Sequence, residues 1–132
     1  LALVLQDLGD YEGAKELLEK ATASNEQNFG SDHPNTAVRY SNLALVLKDL
    51  GDYEGAKELL EKATASDEQN FGTDHPTTAV RYSNLAMVLK DLGDFDRAIV
   101  LLERTLAIFE SVFPSDHPYI ARARRNLQTV RE

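Results

Sequence analysis

The sequence has no cysteine, and it has only four prolines and seven glycines. The absence of cysteine excludes disulfide bonds and thiolate metal sites, and it is typical of intracellular proteins. The scarcity of proline and glycine, together with 42% hydrophobic residues, predicts an ordered chain that is rich in helix. We therefore expect a cytoplasmic protein that folds without covalent cross-links.

Positive charge and long apolar runs are also scarce. The 22 acidic residues outnumber the 14 basic ones, which gives a net charge of −8 at pH 7, whereas nucleic acids and anionic membranes select basic surfaces. No apolar stretch reaches the roughly 20 residues that a membrane-spanning helix requires. We expect neither nucleic acid nor membrane as a partner. No signal peptide is visible, but the sequence opens inside a repeat unit, so we expect chain upstream.

The sequence repeats itself with a period of 42 residues. Residues 43–84 match residues 1–42 with four mismatches, and they match residues 85–126 at about half of the positions. A period of this size predicts stacked units that cannot bury their apolar faces alone. We interpret residues 1–132 as a single repeat domain with repeats at 1–42, 43–84 and 85–126, the first starting in the middle of a helix.

The near identity of the first two repeats indicates a recent duplication within a longer array of similar units. We expect all four differences between them at the surface, because the residue types are polar. The mismatched pairs are Gln6/Lys48, Asn25/Asp67, Ser31/Thr73 and Asn35/Thr77.

Turn signals recur as regularly as the apolar segments. Leu-Gly-Asp stands at 8–10, 50–52 and 92–94, and Asp-His-Pro stands at 32–34, 74–76 and 116–118. Glycine after an apolar-periodic run predicts a helix end in the left-handed conformation, and the following aspartate can cap the next helix. Proline fits the first turn of a helix, where its missing N–H is not needed. Each unit is therefore predicted to contain two helices.

Apolar spacing predicts the helix boundaries. One helix runs from about Pro34 to Leu50, and a second runs from about Asp52 to Asn70 and ends at Phe71 and Gly72. A last helix, from about Pro118 to Arg131, is rich in arginine. Because a terminal repeat needs a polar outer face, we interpret residues 118–132 as a C-terminal capping helix. Residues 1–8 form half a helix with an uncovered stacking surface, where we expect head-to-tail self-association.

The pattern N-L-A-x5-L-G-D-Y-x2-A from Asn42 to Ala56 resembles the tetratricopeptide repeat, a helix–turn–helix unit of about 34 residues. The eight extra residues and the missing proline after the second helix are similar to the 42-residue variant found in kinesin light chains and nephrocystin-type proteins. The third unit departs from the pattern, with Thr105 where Ala21 and Ala63 stand. The resemblance implies an all-α fold, a right-handed α-solenoid of stacked antiparallel helix hairpins.

The resemblance also implies where a partner binds, because the first helices of successive hairpins (the A helices) line a concave groove in this family. The second helices (the B helices) lie behind them. The implied partner-binding residues are Val38, Ser41, Asn42, Leu45, Lys48, Val80, Ser83, Asn84, Met87, Lys90 and Asn126, with Leu3, Gln6, Asp7, Asp49 and Asp91 beside them.

Each type of residue in this set also has a structural explanation. Asn42, Asn84 and Asn126 could form a ladder that pairs with a peptide backbone, or each could bond a neighbouring helix and set the stacking. Lys48 and Lys90 could hold a carboxylate, or they could form surface ion pairs with adjacent aspartates. A partner could cover the apolar groove residues, and so could the next repeat.

Three histidines, His33, His75 and His117, occur once per repeat. Metal sites need clustered ligands, and a role in starting the helices explains these residues without a metal. Neither a Ser-His-Asp or Cys-His arrangement nor a glycine-rich phosphate loop suggests catalysis. We predict no metal, no cofactor and no enzymatic activity.

The sequence favours a protein–protein interaction scaffold that binds a peptide or a partner segment in the groove. The alternative is a structural spacer or self-associating array with no specific groove ligand. The near-identical first two repeats favour either a repetitive ligand or this alternative.

Overall fold

The computed structural model of the chain describes residues 11–30 and 33–132. Within these ranges the chain forms helices and no strands, and it divides into two compact units, Leu1–Asn70 and Phe71–Glu132. The helices are α1 (Tyr11–Phe29), α2 (Pro34–Asp49), α3 (Tyr53–Phe71), α4 (Pro76–Asp91), α5 (Phe95–Val112) and α6 (Pro118–Arg131). The three predicted helices agree with α2, α3 and α6 to within one residue at each end.

Glycine ends the A helices as predicted. Gly51 and Gly93 have φ angles of 87° and 85°, which an L-residue with a Cβ adopts only with strain. After α2, the N–H of Asp52 donates to the carbonyl of Leu47 at 2.8 Å and the N–H of Gly51 donates to Lys48 at 3.0 Å. This pair of bonds satisfies carbonyls that the last helical turn would otherwise leave without donors.

The aspartate after each glycine caps the B helix that follows. Asp52 Oδ1 accepts a hydrogen bond from the N–H of Gly55 at 3.0 Å, and Asp94 Oδ1 accepts one from Arg97 at 3.4 Å. Each bond satisfies one of the free amides of a helix N-terminus. The prediction of an aspartate cap is therefore confirmed for α3 and α5.

Histidine begins each A helix. Nδ1 of His33, His75 and His117 accepts a hydrogen bond from the backbone N–H two residues further on, at 3.0 to 3.1 Å. The following proline occupies the first helical position. A phenylalanine ring stacks on the imidazole, with centroids 5.0 Å apart for Phe71 and His75 and 4.1 Å apart for Phe113 and His117. The histidines are thus helix caps.

In the first unit, Tyr40 joins three helices. Its ring is buried at 2% exposure and packs in α2 with Ala37 against Ala63 of α3. Its hydroxyl donates to Glu26 Oε2 of α1 at 2.6 Å, and the ammonium of Lys62 lies 5.7 Å from its ring centroid. Tyr40 of the A helix α2 therefore contacts the B helix before it and the B helix after it.

In the second unit, α4, α5 and α6 share one core. It contains Ala79, Tyr82, Ile108, Phe109, Ile120 and Ala123. Thr105 replaces the alanine of the earlier repeats and is fully buried. Its hydroxyl hydrogen bonds to the carbonyl of Leu101 at 2.8 Å, and it lies 3.3 Å from the carbonyl oxygen of Ala79 in α4. The departure from the repeat pattern thus places a polar contact between α4 and α5.

The prediction that the two near-identical repeats differ only at the surface is wrong at Asp67. This residue is 1% exposed. It lies four residues after Ala63 and seven after Leu60, which are both fully or almost fully buried, so the helical period places it on the same face. Among the other differing positions, Asn35 and Thr73 are exposed, and Gln6 and Ser31 lie outside the described residues.

No helix in the described part of the chain combines the length and the apolar character needed to cross a membrane.

Removal of the histidine cap should destabilise the protein. We expect His75→Ala to lower the free energy of unfolding by about 1 kcal/mol, because an N–H at the start of α4 loses its acceptor. His75→Asp is the matched control, since it also removes the stacking on Phe71 but keeps a good cap acceptor. Urea unfolding followed by circular dichroism measures both. Equal losses in the two variants would show that ring stacking, not capping, makes the contribution.

An alanine should be tolerated at Gly55 but not at Gly51. A methyl group on Gly55 would lie 2.6 Å from Asp52 Oδ2, but this side chain can turn, and the third repeat has Arg97 at the position of Gly55 while Asp94 still caps the helix. We expect Gly55→Ala to raise the free energy of unfolding by about 0.5 kcal/mol, because alanine is the better helix former. Gly51→Ala should lower it by about 1 kcal/mol through its positive φ. Thermal and urea unfolding would contradict this if Gly55→Ala were the more damaging change.

Candidate functional site

Five of the predicted groove residues line one pocket in the second unit. Four of them lie on α4 and one lies on α6, and the pocket has a volume of about 190 Å³. These residues are Val80, Ser83, Asn84, Met87 and Asn126.

Helix geometry explains why these side chains meet. On α4 the pocket positions are separated by three, one and three residues, so they share one face of the helix. The small side chains of Ala79 and Ala123 are almost fully buried in the core where α4, α5 and α6 meet. Both α4 and α6 pack on α5 in this core, and Asn126 of α6 lines the same pocket as Asn84 of α4.

Four further residues line the pocket, and the sequence analysis did not select them: Phe109, Tyr119, Arg122 and Ala123. Phe109 comes from the B helix α5, and its ring centroid lies 5.5 Å from that of Tyr119. Arg122 occupies the repeat position of Val38 and Val80. Alignment of α6 with α2 and α4 identifies Arg122 as a groove position, because Val38 and Val80 are predicted groove residues.

The pocket combines apolar, amide and cationic groups. Val80, Met87, Phe109 and Ala123 supply its apolar lining. Asn84 and Asn126 are half-buried, and within the described residues neither amide side chain hydrogen bonds to the protein. Each amide therefore retains a donor and an acceptor that a ligand could use.

The guanidinium of Arg122 lies 5.8 Å from the centroid of the Tyr119 ring. Both side chains are exposed. A guanidinium over an aromatic face is attracted by the electrons of the ring. The pocket therefore has a positively charged edge whose position is restrained by Tyr119.

In the first unit, α2 presents the corresponding A-helix face. Val38 and Leu45 are 42% and 44% exposed, and Asn42 is half-buried. Ser41, which is predicted to face the groove, is instead buried at 4% exposure. Its counterpart Ser83 has the same neighbours in sequence but is half-buried, so the packing around Ser41 and not its helix position accounts for the difference. The hydroxyl of Ser41 has no hydrogen-bond partner among the described residues.

The remaining predicted groove residues do not line the pocket. Lys48 is half-buried on α2 and is engaged in other interactions. Lys90 is half-buried near the end of α4 and does not line the pocket. Leu3, Gln6 and Asp7 lie outside the described residues. Within residues 11–30 and 33–132, no three potential ligands are grouped so that they could hold a metal ion.

Sequence comparison connects this architecture to a known family. The sequence model of the tetratricopeptide repeat matches residues 1–69, 40–111 and 78–130. No curated protein sequence matches the chain significantly.

Solved structures confirm the all-α fold that the resemblance implied. A Podosopora anserina protein described as a kinesin light chain with nearly identical TPR-like repeats has a TM-score of 0.92 and 28% identity, and the match covers 98% of this chain and 61% of that one. BtubC (BKLC) from P. vanneervenii has a TM-score of 0.88 and 26% identity over 98% of this chain and 52% of that one. The chain thus spans less than two thirds of either relative.

A more distant structure shares the fold alone. It is the type III secretion translocator chaperone SycD from Yersinia enterocolitica, with a TM-score of 0.71 and 15% identity over 98% of this chain and 78% of that one.

Proposed function

Because the chain belongs to the tetratricopeptide repeat family, whose repeats serve as protein-interaction scaffolds and are generally not enzymes, we propose that it binds a peptide or a partner segment on the groove face of its A helices. The observation that carries this proposal is the pocket between α4 and α6. Residues chosen by their repeat position on two separate helices line the same pocket in the second unit.

The size of the pocket favours a protein segment over a small-molecule ligand. Pockets that bind drug-sized molecules measure about 300 to 1,000 Å³, and this one measures about 190 Å³. A volume of this size is suited to a single apolar side chain. The rest of the ligand would then lie outside the pocket, across the faces of α4 and α6.

The asparagines support an extended peptide in particular. The amides of Asn84 and Asn126 carry both a donor and an acceptor and, within the part of the chain that the structure describes, no hydrogen bond to the protein. The backbone of an extended peptide presents the complementary groups. The alternative explanation, in which each asparagine bonds a neighbouring helix, has no such bond to support it in the second unit.

The similar structures accord with a protein partner. One of them is described as a kinesin light chain. Nucleic acid and membrane remain unfavoured on the grounds of net charge and composition.

A structural spacer or self-associating array is the second candidate function. The observation that favours it is the near identity of the first two repeats. Recognition of one specific ligand would require groove residues that differ from unit to unit. The predicted head-to-tail contact would use residues 1–8, which lie outside the described residues.

Loss of both asparagines should weaken ligand binding without unfolding the protein. Peptides selected by the wild-type chain from a random display library would be titrated against the Asn84→Ala/Asn126→Ala variant by fluorescence anisotropy. We expect at least tenfold weaker binding, since each lost hydrogen bond contributes about 1 kcal/mol. Circular dichroism establishes that helicity is retained.

Asn35→Ala is the matched control, because Asn35 is an exposed asparagine on the A helix α2, and it is not among the pocket residues. Binding that is unchanged in both variants would contradict the groove proposal. Selection of no peptide at all would favour the spacer, and a sedimentation mass that rises with concentration would then identify self-association.

A further inference from the structure

Two stretches at the same position of successive repeats differ in their chemistry. Residues 64–75 (the polar connection) run from the second half of α3 to the start of α4. Residues 106–117 (the apolar connection) run from the second half of α5 to the start of α6, 42 residues later. Because the two stretches have equivalent places in the repeat, comparing them isolates the effect of the residues that differ.

The second half of α3 buries polar side chains. Thr64, Ser66 and Asp67 are 1 to 7% exposed. The hydroxyl of Thr64 donates to the carbonyl of Leu60 at 2.6 Å, and the side-chain amide of Asn70 donates to the carbonyl of Ser66 at 3.0 Å. Ser66, Asp67 and Asn70 make further interactions. Water replaces such bonds when a segment opens, so each one adds little net stability.

The equivalent half of α5 buries apolar side chains instead. Leu106, Ile108 and Phe109 stand at the positions of Thr64, Ser66 and Asp67. Ile108 and Phe109 belong to the shared core of α4, α5 and α6, and Leu106 packs against that core. Opening this half would return apolar surface to water, which costs free energy in proportion to the area exposed.

The loops continue the contrast, because Pro114 takes the position of Gly72. Proline fixes its own φ angle and holds the residue before it in an extended conformation. Phe113 accordingly has a φ angle of −109° and a ψ angle of 156°. The proline leaves the apolar connection fewer conformations than the glycine leaves the polar one.

The phenylalanine before each of these residues differs in its surroundings. Phe71 is 40% exposed, and within the described residues its one ring contact is the stacking on His75. Phe113 is half-buried and packs against the shared core. Its ring makes three contacts, with centroids 4.1 to 5.8 Å apart, to Phe109, His117 and Tyr119.

A hydrogen bond holds the polar connection to α4. The hydroxyl of Thr78 donates to the carbonyl of Gly72 at 2.8 Å. Ile120 takes the place of Thr78 in α6 and is buried in the shared core. Hydrogen bonds therefore hold the polar connection, whereas apolar packing holds the apolar one.

We propose that the polar connection opens as a local unit while the rest of the chain stays folded, and that the apolar connection stays closed under the same conditions. A repeat array permits separate openings, because each unit contacts only its neighbours. Opening would release the stacking of Phe71 on His75 and loosen the start of α4, the helix that carries four pocket residues. The proposal does not depend on a ligand.

Hydrogen exchange of the wild-type chain measures this opening. We expect the amides of residues 65–70 to exchange roughly tenfold faster or more than those of residues 107–112, after correction for intrinsic rates. Low urea concentrations should accelerate exchange at 107–112 but not at 65–70, because a local opening exposes little surface. Fraying would give the opposite order, since residues 107–112 lie nearer to an end of the chain. Equal protection or equal urea dependence of the two segments would overturn the proposal.

Residues taken from α5 should close the polar connection. Thr64→Leu/Ser66→Ile introduces two of the apolar residues of α5 and should slow exchange at residues 65–70 by about tenfold. Glu58→Val is the matched control, because it also introduces the residue of α5, but at an exposed position of α3 before the polar connection. It should leave exchange at 65–70 unchanged. A folded double variant that exchanges like the wild type would contradict the proposal.

Thiol labelling tests the opening without enlarging a buried side chain. The chain has no cysteine, and Ser66→Cys and Thr105→Cys place a thiol at positions that are 1% and 0% exposed. We expect iodoacetamide to label Ser66→Cys roughly tenfold faster or more, with each rate taken relative to the urea-unfolded chain. Thr105→Cys also removes a methyl group, which favours labelling of α5 and so works against the proposal. Equal rates or the opposite order would overturn it.

Discussion

Close packing of helices at alanine is the constraint on which the rest of the structure depends. Ala37 and Ala63 meet where α2 and α3 pack, and both are fully buried. Ala79 and Ala123 take part in the shared core of α4, α5 and α6. The distance of 3.3 Å between Thr105 Oγ1 and the carbonyl oxygen of Ala79 shows how near α5 comes to the backbone of α4. A larger side chain at such a position would displace a helix, because protein interiors leave little empty volume.

The turns fix the residue at which each helix begins and ends. The starting residue decides which side chains face the pocket. A histidine cap and a proline start α4 and α6, and a glycine with positive φ ends α2 and α4. Since side chains recur every 3.6 residues along a helix, a shift of one residue at the start of α4 would turn Asn84 and Met87 away by about 100°. The loop residues thus act on the site through the register of the helix.

The divergent helix α6 carries two different properties on its two faces. One face completes the pocket with Tyr119, Arg122 and Asn126. Another face carries Arg124 and Arg131, which pair with Glu110 and Glu103 of α5. These exposed ion pairs contribute little to stability, so their significance lies in the polar surface that they maintain.

The resemblance to the family indicated the face of α4 that lines the pocket. Local rules were sufficient for the sequence to predict the helices and their caps. These features depend on hydrogen bonds and side-chain positions within a few residues, such as those of Gly51, Asp52 and Pro76. Other features depend on which helices pack together. Phe109 reaches the pocket from a B helix, and Ser41 is buried while Ser83, its counterpart one repeat later, lines the pocket.

The burial of Asp67 also depends on which helices pack together. Its sequence context is almost that of the half-buried Asn25, and only its surroundings in the folded chain differ. The sequence by itself therefore determined the repeat and the helices, because these follow from local periodicity. Only the tertiary structure decided the composition and charge of the pocket, because long-range packing brings together residues that no short pattern connects.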